Sequence, residues 1–187
     1  MTPGGGVELI LQPPSGPVTT SKDGTTNDKL GDGATINSTF ALLYGKVTFT
    51  LQASSVPGSV TAAVLIGTKT DDEIDVEILG GDPTHWQTNV FRSAPGETEP
   101  LYGVFGGVQG YSGSGRVDQV HKYVVDWSPA RIQWSVDGQV MRTLTPAGTL
   151  HGGQQHYPSA PSRIQIGLWD ASNPSGTSEW AKGPIPW

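Results

Sequence analysis

The sequence predicts an all-β sandwich of two antiparallel sheets. Three observations carry that reading: apolar and polar residues alternate in short runs, Gly, Pro, Asn and Asp punctuate them, and no segment sustains a 3.6-residue period. A chain of 187 residues with 26 glycines and 15 prolines reads as a single domain, 1–187, rich in turns and long enough for a sizeable core. Charged residues make up only 15% of it, against roughly 25% in average proteins.

Taken in order, the alternating runs place strands at 7–12 (VELILQ), 35–40 (TINSTF), 46–52 (KVTFTLQ), 60–66 (VTAAVLI), Glu73–Leu79 (EIDVEIL) and 87–91 (QTNVF). Three more follow at 123–128 (YVVDWS), 131–136 (RIQWSV) and 163–169 (RIQIGLW). RIQWSVDGQVMRTL is the clearest hairpin, because Asp137-Gly138 supplies the positive φ that a two-residue turn requires. Ser128-Pro129 marks the turn before it. The stretches 13–32, 93–117 and 146–161 are rich in Gly, Ser, Thr and Pro and read as loops long enough to be functional.

One strand raises a chemical question. DDEIDVEIL, residues 71–79, holds five acids in nine positions. Period-2 geometry sends Ile74, Val76 and Ile78 to the core face and Glu73, Asp75 and Glu77 to the other. A solvated face would mix in Thr, Lys or Arg, since like charges on one strand face repel. Retaining glycoside hydrolysis needs two carboxyls about 5 to 5.5 Å apart, a nucleophile and a general acid. The Cα atoms of residues 73 and 77 lie about 13 Å apart on a regular strand, so two long side chains must lean inward over a curved sheet. Mutual repulsion is expected to spread the pKa values and keep Glu77 protonated, with Asp75 sharing a proton with Glu73.

Glu73-Ile74-Asp75-Val76-Glu77 resembles the E-[ILV]-D-x-E signature of glycoside hydrolase family 16 in its regular-strand form. HKYVVDWSPARIQWSVDG at 121–138 is similar to that family's H-x-Y-x-x-x-W-x-P-x-x-I-x-W-x-V-D-G hairpin, and YGKVTFTL at 44–51 agrees with it. IQIGLWDASNPSGTSEWAKGPIPW at 164–187 resembles the fungal Crh-type, chitin-glucan crosslinking transglycosylases, and QTNVF resembles the plant xyloglucan endotransglycosylases. The resemblance runs from about residue 7 to 187. It implies a concanavalin A-like β-jelly roll with a sugar cleft across the concave sheet and a retaining mechanism. Glu73 is then the nucleophile, Asp75 the assisting carboxylate and Glu77 the acid/base. It further implies donor-side polar contacts from Gln87 and Asn89 and acceptor-side aromatic contacts from Trp169 and Trp180. Tyr102, by its place in the long 93–117 loop, is expected to close over such a cleft.

Other features read as structural. Trp127 and Trp134 are expected to pack in the core, and His121 to be a satisfied structural histidine. Asp71 and Asp72 are expected to be solvated, while His85, His151 and His156 lie in loops without zinc-ligand spacing. No metal or cofactor is expected. The glycine-rich GVFGGVQGYSGSG precedes no helix or Lys and is not a phosphate loop. The net charge of −6, without a basic cluster, argues against nucleic acid and anionic membranes as partners. With no cysteine, thiol catalysis and disulfides are excluded. No stretch reaches the ~20 apolar residues of a membrane span, and MTPGGGVELILQPP lacks the basic n-region of a signal peptide.

Compared with the family the resemblance points to, the chain reads as clipped at both ends, particularly after Trp187, where a returning strand is expected. Asn37-Ser38-Thr39 is a sequon, usable in a secreted chain. The expected function is an extracellular, cell-wall transglycosylase or hydrolase of chitin or β-glucan, monomeric, taking a polysaccharide donor and acceptor. A β-glucan endohydrolase of the same family and a non-catalytic carbohydrate-binding module are the alternatives.

Overall fold

A computed structural model describes residues 5–187. The strands are β1 (Ala34–Leu42), β2 (Gly45–Gln52), β3 (Ser59–Gly67), β4 (Glu73–Leu79), β5 (His85–Phe91), β6 (Gly107–Gly110), β7 (Val120–Trp127), β8 (Ile132–Val136), β9 (Gln139–Leu144), β10 (Leu150–His151), β11 (Gln154–Gln155) and β12 (Ser162–Asp170). One short helix, α1 (Ser175–Trp180), follows. Two antiparallel sheets face each other, in the orders β1-β12-β3-β4-β5-β6 and β2-β7-β8-β9. Among the described residues no helix is long and apolar enough to cross a membrane.

The core is the product of alternation on both sheets. Leu65, Ile74, Val76, Ile78, Trp86 and Val90 from the first sheet meet Phe49, Tyr123, Val125, Trp127, Ile132 and Trp134 from the second. Trp127 and Trp134 are buried, as expected, and each indole N–H finds a carbonyl: Trp127 donates to Pro158 and Trp134 to Asp75. The second sheet has two strands fewer than the first. Ile36 and Phe40 on β1 remain exposed.

Asp137 (φ 50°) and Gly138 (φ 88°) form the tight turn between β8 and β9. The other nine-strand expectations need four corrections. Segment 7–12 is not a strand: only Gln12 forms a bridge, to Asp32, and Val7 and Ile10 stay exposed because no neighbouring strand lies alongside. The loop 93–117 contains β6, whose GVQG lacks any alternation to reveal it. Similarly, 146–161 contains a 3₁₀ turn (Pro146–Thr149) and the two-residue ladder β10–β11. His85 opens β5 instead of lying in a loop.

Asp71 and Asp72 are not simply solvated. Asp72 is 3% exposed and its Oδ2 accepts from the N–H groups of Ser159 (2.5 Å) and Ala160 (2.9 Å), while Asp71 Oδ2 accepts from Ser93 N–H at 2.7 Å. The turn before the acid strand is thereby tied to two distant loops. Asp72→Ala leaves two backbone donors without an acceptor, and a loss of about 1–3 kcal/mol is expected. Urea unfolding should show it as a lower midpoint at unchanged slope.

Candidate active site

Alternation on β4 separates two chemistries. Ile74, Val76 and Ile78 are sealed in the core, while Glu73, Asp75 and Glu77 share the opposite face of the larger sheet. The Trp134 indole, buried beneath, donates to the Asp75 carbonyl at 2.9 Å and pins the strand from its core side. On β5, Phe91, Asn89 and Gln87 stand opposite Glu73, Asp75 and Glu77; on β3 the partners are Ile66, Val64 and Ala62. Every one of these neighbours is uncharged. Among the described residues no base stands opposite the acids.

Burial without compensation raises all three pKa values. Glu77 is pushed from the ordinary 4.5 to about 7, by burial first and by the charge of Glu73 second. The order of causes corrects the sequence expectation, in which mutual repulsion led. Asp75, 1% exposed, is held well above the ordinary range by burial, then by the charges of Glu73 and Glu77. Glu73 is also raised by burial, but a hydrogen bond from Asp75 opposes the rise.

No N–H or O–H among the described residues reaches either carboxyl oxygen of Asp75. Its carboxyl faces that of Glu73, and two carboxyls can bond only if one is protonated. The three groups titrate together. Burial favours the neutral forms of Asp75 and Glu77, while the contact with Asp75 opposes that rise at Glu73.

This face of the sheet is flanked by one wall on the Glu77 side and another on the Glu73 side. Trp169 stands opposite Val60, itself opposite Leu79, one row beyond Glu77. Trp180 of α1 stacks on it (centroids 6.0 Å apart, planes at 21°) and its indole N–H donates to Gln87 Oε1 at 3.0 Å. The first wall thus joins Trp169, Trp180 and Gln87. Asn89 lies on the same face as Gln87, its Oδ1 accepting from Val90 N–H. On the Glu73 side a cavity of ≈ 170 Å³ is lined by Glu73, Phe91, Leu101, Tyr102 and Phe105. Tyr102 is 75% exposed and meets Phe91 edge-on at 5.8 Å.

His121 is a structural group, as expected: Nδ1 faces Asp137 Oδ2 at 2.6 Å and Nε2 the Arg116 carbonyl at 2.9 Å. Sequence reasoning missed His156, which is buried and bound to Glu97 across 59 positions. It also missed Arg142, which donates to Thr88 and to the Phe105 carbonyl. No local pattern marks either, because the partners come from separate loops.

The geometry can be set beside known proteins. The profile of Glycosyl hydrolases family 16 matches residues 15–184. The chain belongs to glycoside hydrolase family 16. Among its family-16 relatives, Crh-like protein 2 of Aspergillus fumigatus is 39% identical over 171 residues, covering 87% of this chain. The chain spans 36% of that relative's length. The structure of Crh5 transglycosylase in complex with NAG is similar at 34% identity and a TM-score of 0.73, covering 95% of this chain and 71% of that one. A β-glucanase of Bacillus licheniformis shares the fold, with 21% identity, a TM-score of 0.64 and coverage of 91% and 75%. The jelly-roll expectation is thereby met, and the family-16 signature sits on β4 with its three acids on one face.

Proposed function

We propose that this chain catalyses retaining transfer of a β-glycan segment of chitin or β-glucan, at the cell wall and outside the cell, acting as a monomer. The observation that carries the reading is the placement of Glu73, Asp75 and Glu77 on one face of β4 with only uncharged residues opposite them on β3 and β5. Burial there pushes Glu77 up to about 7.

Glu73 carboxylate attacks the anomeric carbon while Glu77 gives its proton to the departing glycosidic oxygen. The C–O bond breaks, the shortened chain leaves, and a glycosyl ester on Glu73 remains. Glu77, now a carboxylate, takes the proton of an acceptor hydroxyl whose oxygen attacks the same carbon and frees Glu73. Two displacements retain the anomeric configuration. Asp75 keeps its proton throughout and, by sharing it, stabilises Glu73 as the leaving group of the second step. Asn89 is assigned a hydroxyl of the donor and Tyr102 its cover, while Gln87, which accepts from the Trp180 indole, holds the aromatic wall on the acceptor side.

Transfer in place of hydrolysis requires a sugar to outcompete water for the intermediate. The stacked Trp169 and Trp180 beside Glu77 offer an acceptor the apolar face it needs, and the likeness to a Crh5 transglycosylase supports that outcome. The test is product analysis with a β-glycan donor and fluorescently labelled chito-oligosaccharide acceptors. Labelled products longer than the acceptor are expected; free reducing ends alone would leave a hydrolase. Trp180→Ala should lower the transfer-to-hydrolysis ratio by roughly 3- to 10-fold, the value of one aromatic stacking contact.

A further inference from the structure

His156 is 0% exposed and plays no part in the chemistry above. Its Nε2 lies 3.0 Å from both carboxylate oxygens of Glu97, and its Nδ1 lies 3.2 Å from the Thr149 carbonyl. Both partners are acceptors. The ring is thereby tied to Glu97 on one side and to Thr149 on the other. The carboxylate of Glu97 also takes the Ala94 N–H at 2.8 Å. The pair therefore locks the start of the 93–105 loop onto the segment that follows β11.

The far end of this loop is fastened as well. Phe105 packs against the His156 ring at 5.4 Å, and its carbonyl accepts from Arg142 Nη2 at 2.6 Å. Between these anchors the loop carries Leu101 and Tyr102, which with Phe105 form its side of the cavity next to Glu73. The opposite side is made by Ile66 of β3, Glu73 of β4 and Phe91 of β5, with Asp71 and Asp72 beside them. The charged groups around His156 are Glu97 and, at 6.2 Å between rings, His151 of β10. Arg142 of β9 reaches the far side of Phe105, and Arg92 of the chain after β5 donates to the carbonyl of Tyr157.

We propose that His156 and Glu97 are positioning residues: the hydrogen-bonded contact between them holds the 93–105 loop as the wall of the cleft on the Glu73 side, and a sugar ring over Glu73 binds against that wall. The inference rests on the retaining-transferase reading.

The test compares KM and kcat for the donor in wild type, Glu97→Ala and Glu97→Gln in the full chain. Glu97→Ala should raise KM about fivefold, the value of a partly exposed polar pair, with kcat within twofold. Glu97→Gln, which keeps an acceptor for the His156 ring, should return KM to within twofold of wild type. Glu97 lies on a surface loop, so both variants can be read in a folded chain. A KM for Glu97→Ala near that of wild type, a loss carried equally by kcat, or no rescue in Glu97→Gln overturns the inference. Glu73→Gln run in parallel separates this from the chemistry: if that variant stays active the retaining reading fails, and if it is inactive while Glu97→Ala leaves KM unchanged only the latch fails.

Discussion

Glu73→Gln is expected to retain the fold and lose turnover by about 10⁴- to 10⁶-fold, the range seen when a covalent nucleophile is removed. The amide occupies the same space but carries no charge to attack the anomeric carbon. It also replaces the acceptor of the Asp75 hydrogen bond with a group that still accepts, so the triad is not left with an orphaned proton. Wild type incubated with an activated fluoro-sugar should gain the mass of one glycosyl unit on the peptide containing residue 73. Absence of that increment, or turnover within tenfold of wild type in Glu73→Gln, would sink the assignment. Glu73→Ala opens space beside the anomeric carbon, and azide should restore part of its activity on an activated glycoside with inversion of configuration.

The second large effect is that of Glu77. For a sugar leaving group, Glu77→Gln should lower kcat/KM by about 10²- to 10⁴-fold, the contribution of a positioned general acid. For an aryl leaving group that needs no proton, the first step should be nearly unaffected and the glycosyl-enzyme should accumulate. The pH profile gives an independent readout. Wild-type kcat/KM should fall on the alkaline side with an apparent pKa of about 7, where Glu77 loses its proton. On the acid side it should fall as Glu73, itself raised by burial, gains one. In Glu77→Gln the alkaline limb should vanish.

Stability moves with the same proton. Glu77 binds its proton more tightly in the folded chain than in the unfolded one, at about 7 against 4.5. The stability this provides is fully present below about 4.5 and is lost as pH rises through about 7. Glu77→Gln removes a buried charge from the folded state above that pH. Its thermal midpoint should therefore exceed that of wild type at pH 8 and equal it at pH 4. Equal midpoints at both pH values would contradict the burial assigned to this carboxyl.

Much of the catalytic strand is legible without coordinates because a strand has a period of two. EIDVEIL can bury only one set of alternate residues, and burying isoleucine and valine forces the acids together. The turn at Asp137-Gly138 is legible for a similarly local reason, the positive φ that two-residue hairpins demand. Segment 7–12 misled because alternation is necessary for a half-buried strand and not sufficient. VELILQ has the pattern but no strand beside it. β6 went unseen because two of its four residues are glycine and carry no side chain to alternate.

The sequence by itself determined the two-sheet class, the orientation of the acids on β4, and the absence of any base beside them in the chain. Tertiary structure decided the rest. Asp72 reads as a surface acid until the backbone of residues 159 and 160 is brought to it. The resemblance gives Trp180 to the acceptor side, but its stacking on Trp169 and its bond to Gln87, 93 positions away, come only when α1 folds across the sheet. His156 finds Glu97 over 59 positions. The physical reason is common to all three: alternation is set by bond geometry along one strand, whereas burial and hydrogen-bond partners depend on which distant backbone the sheets bring alongside. The proton order on Glu73, Asp75 and Glu77 belongs to both, since the strand supplies the acids and the closed sandwich supplies the burial that keeps two of them neutral.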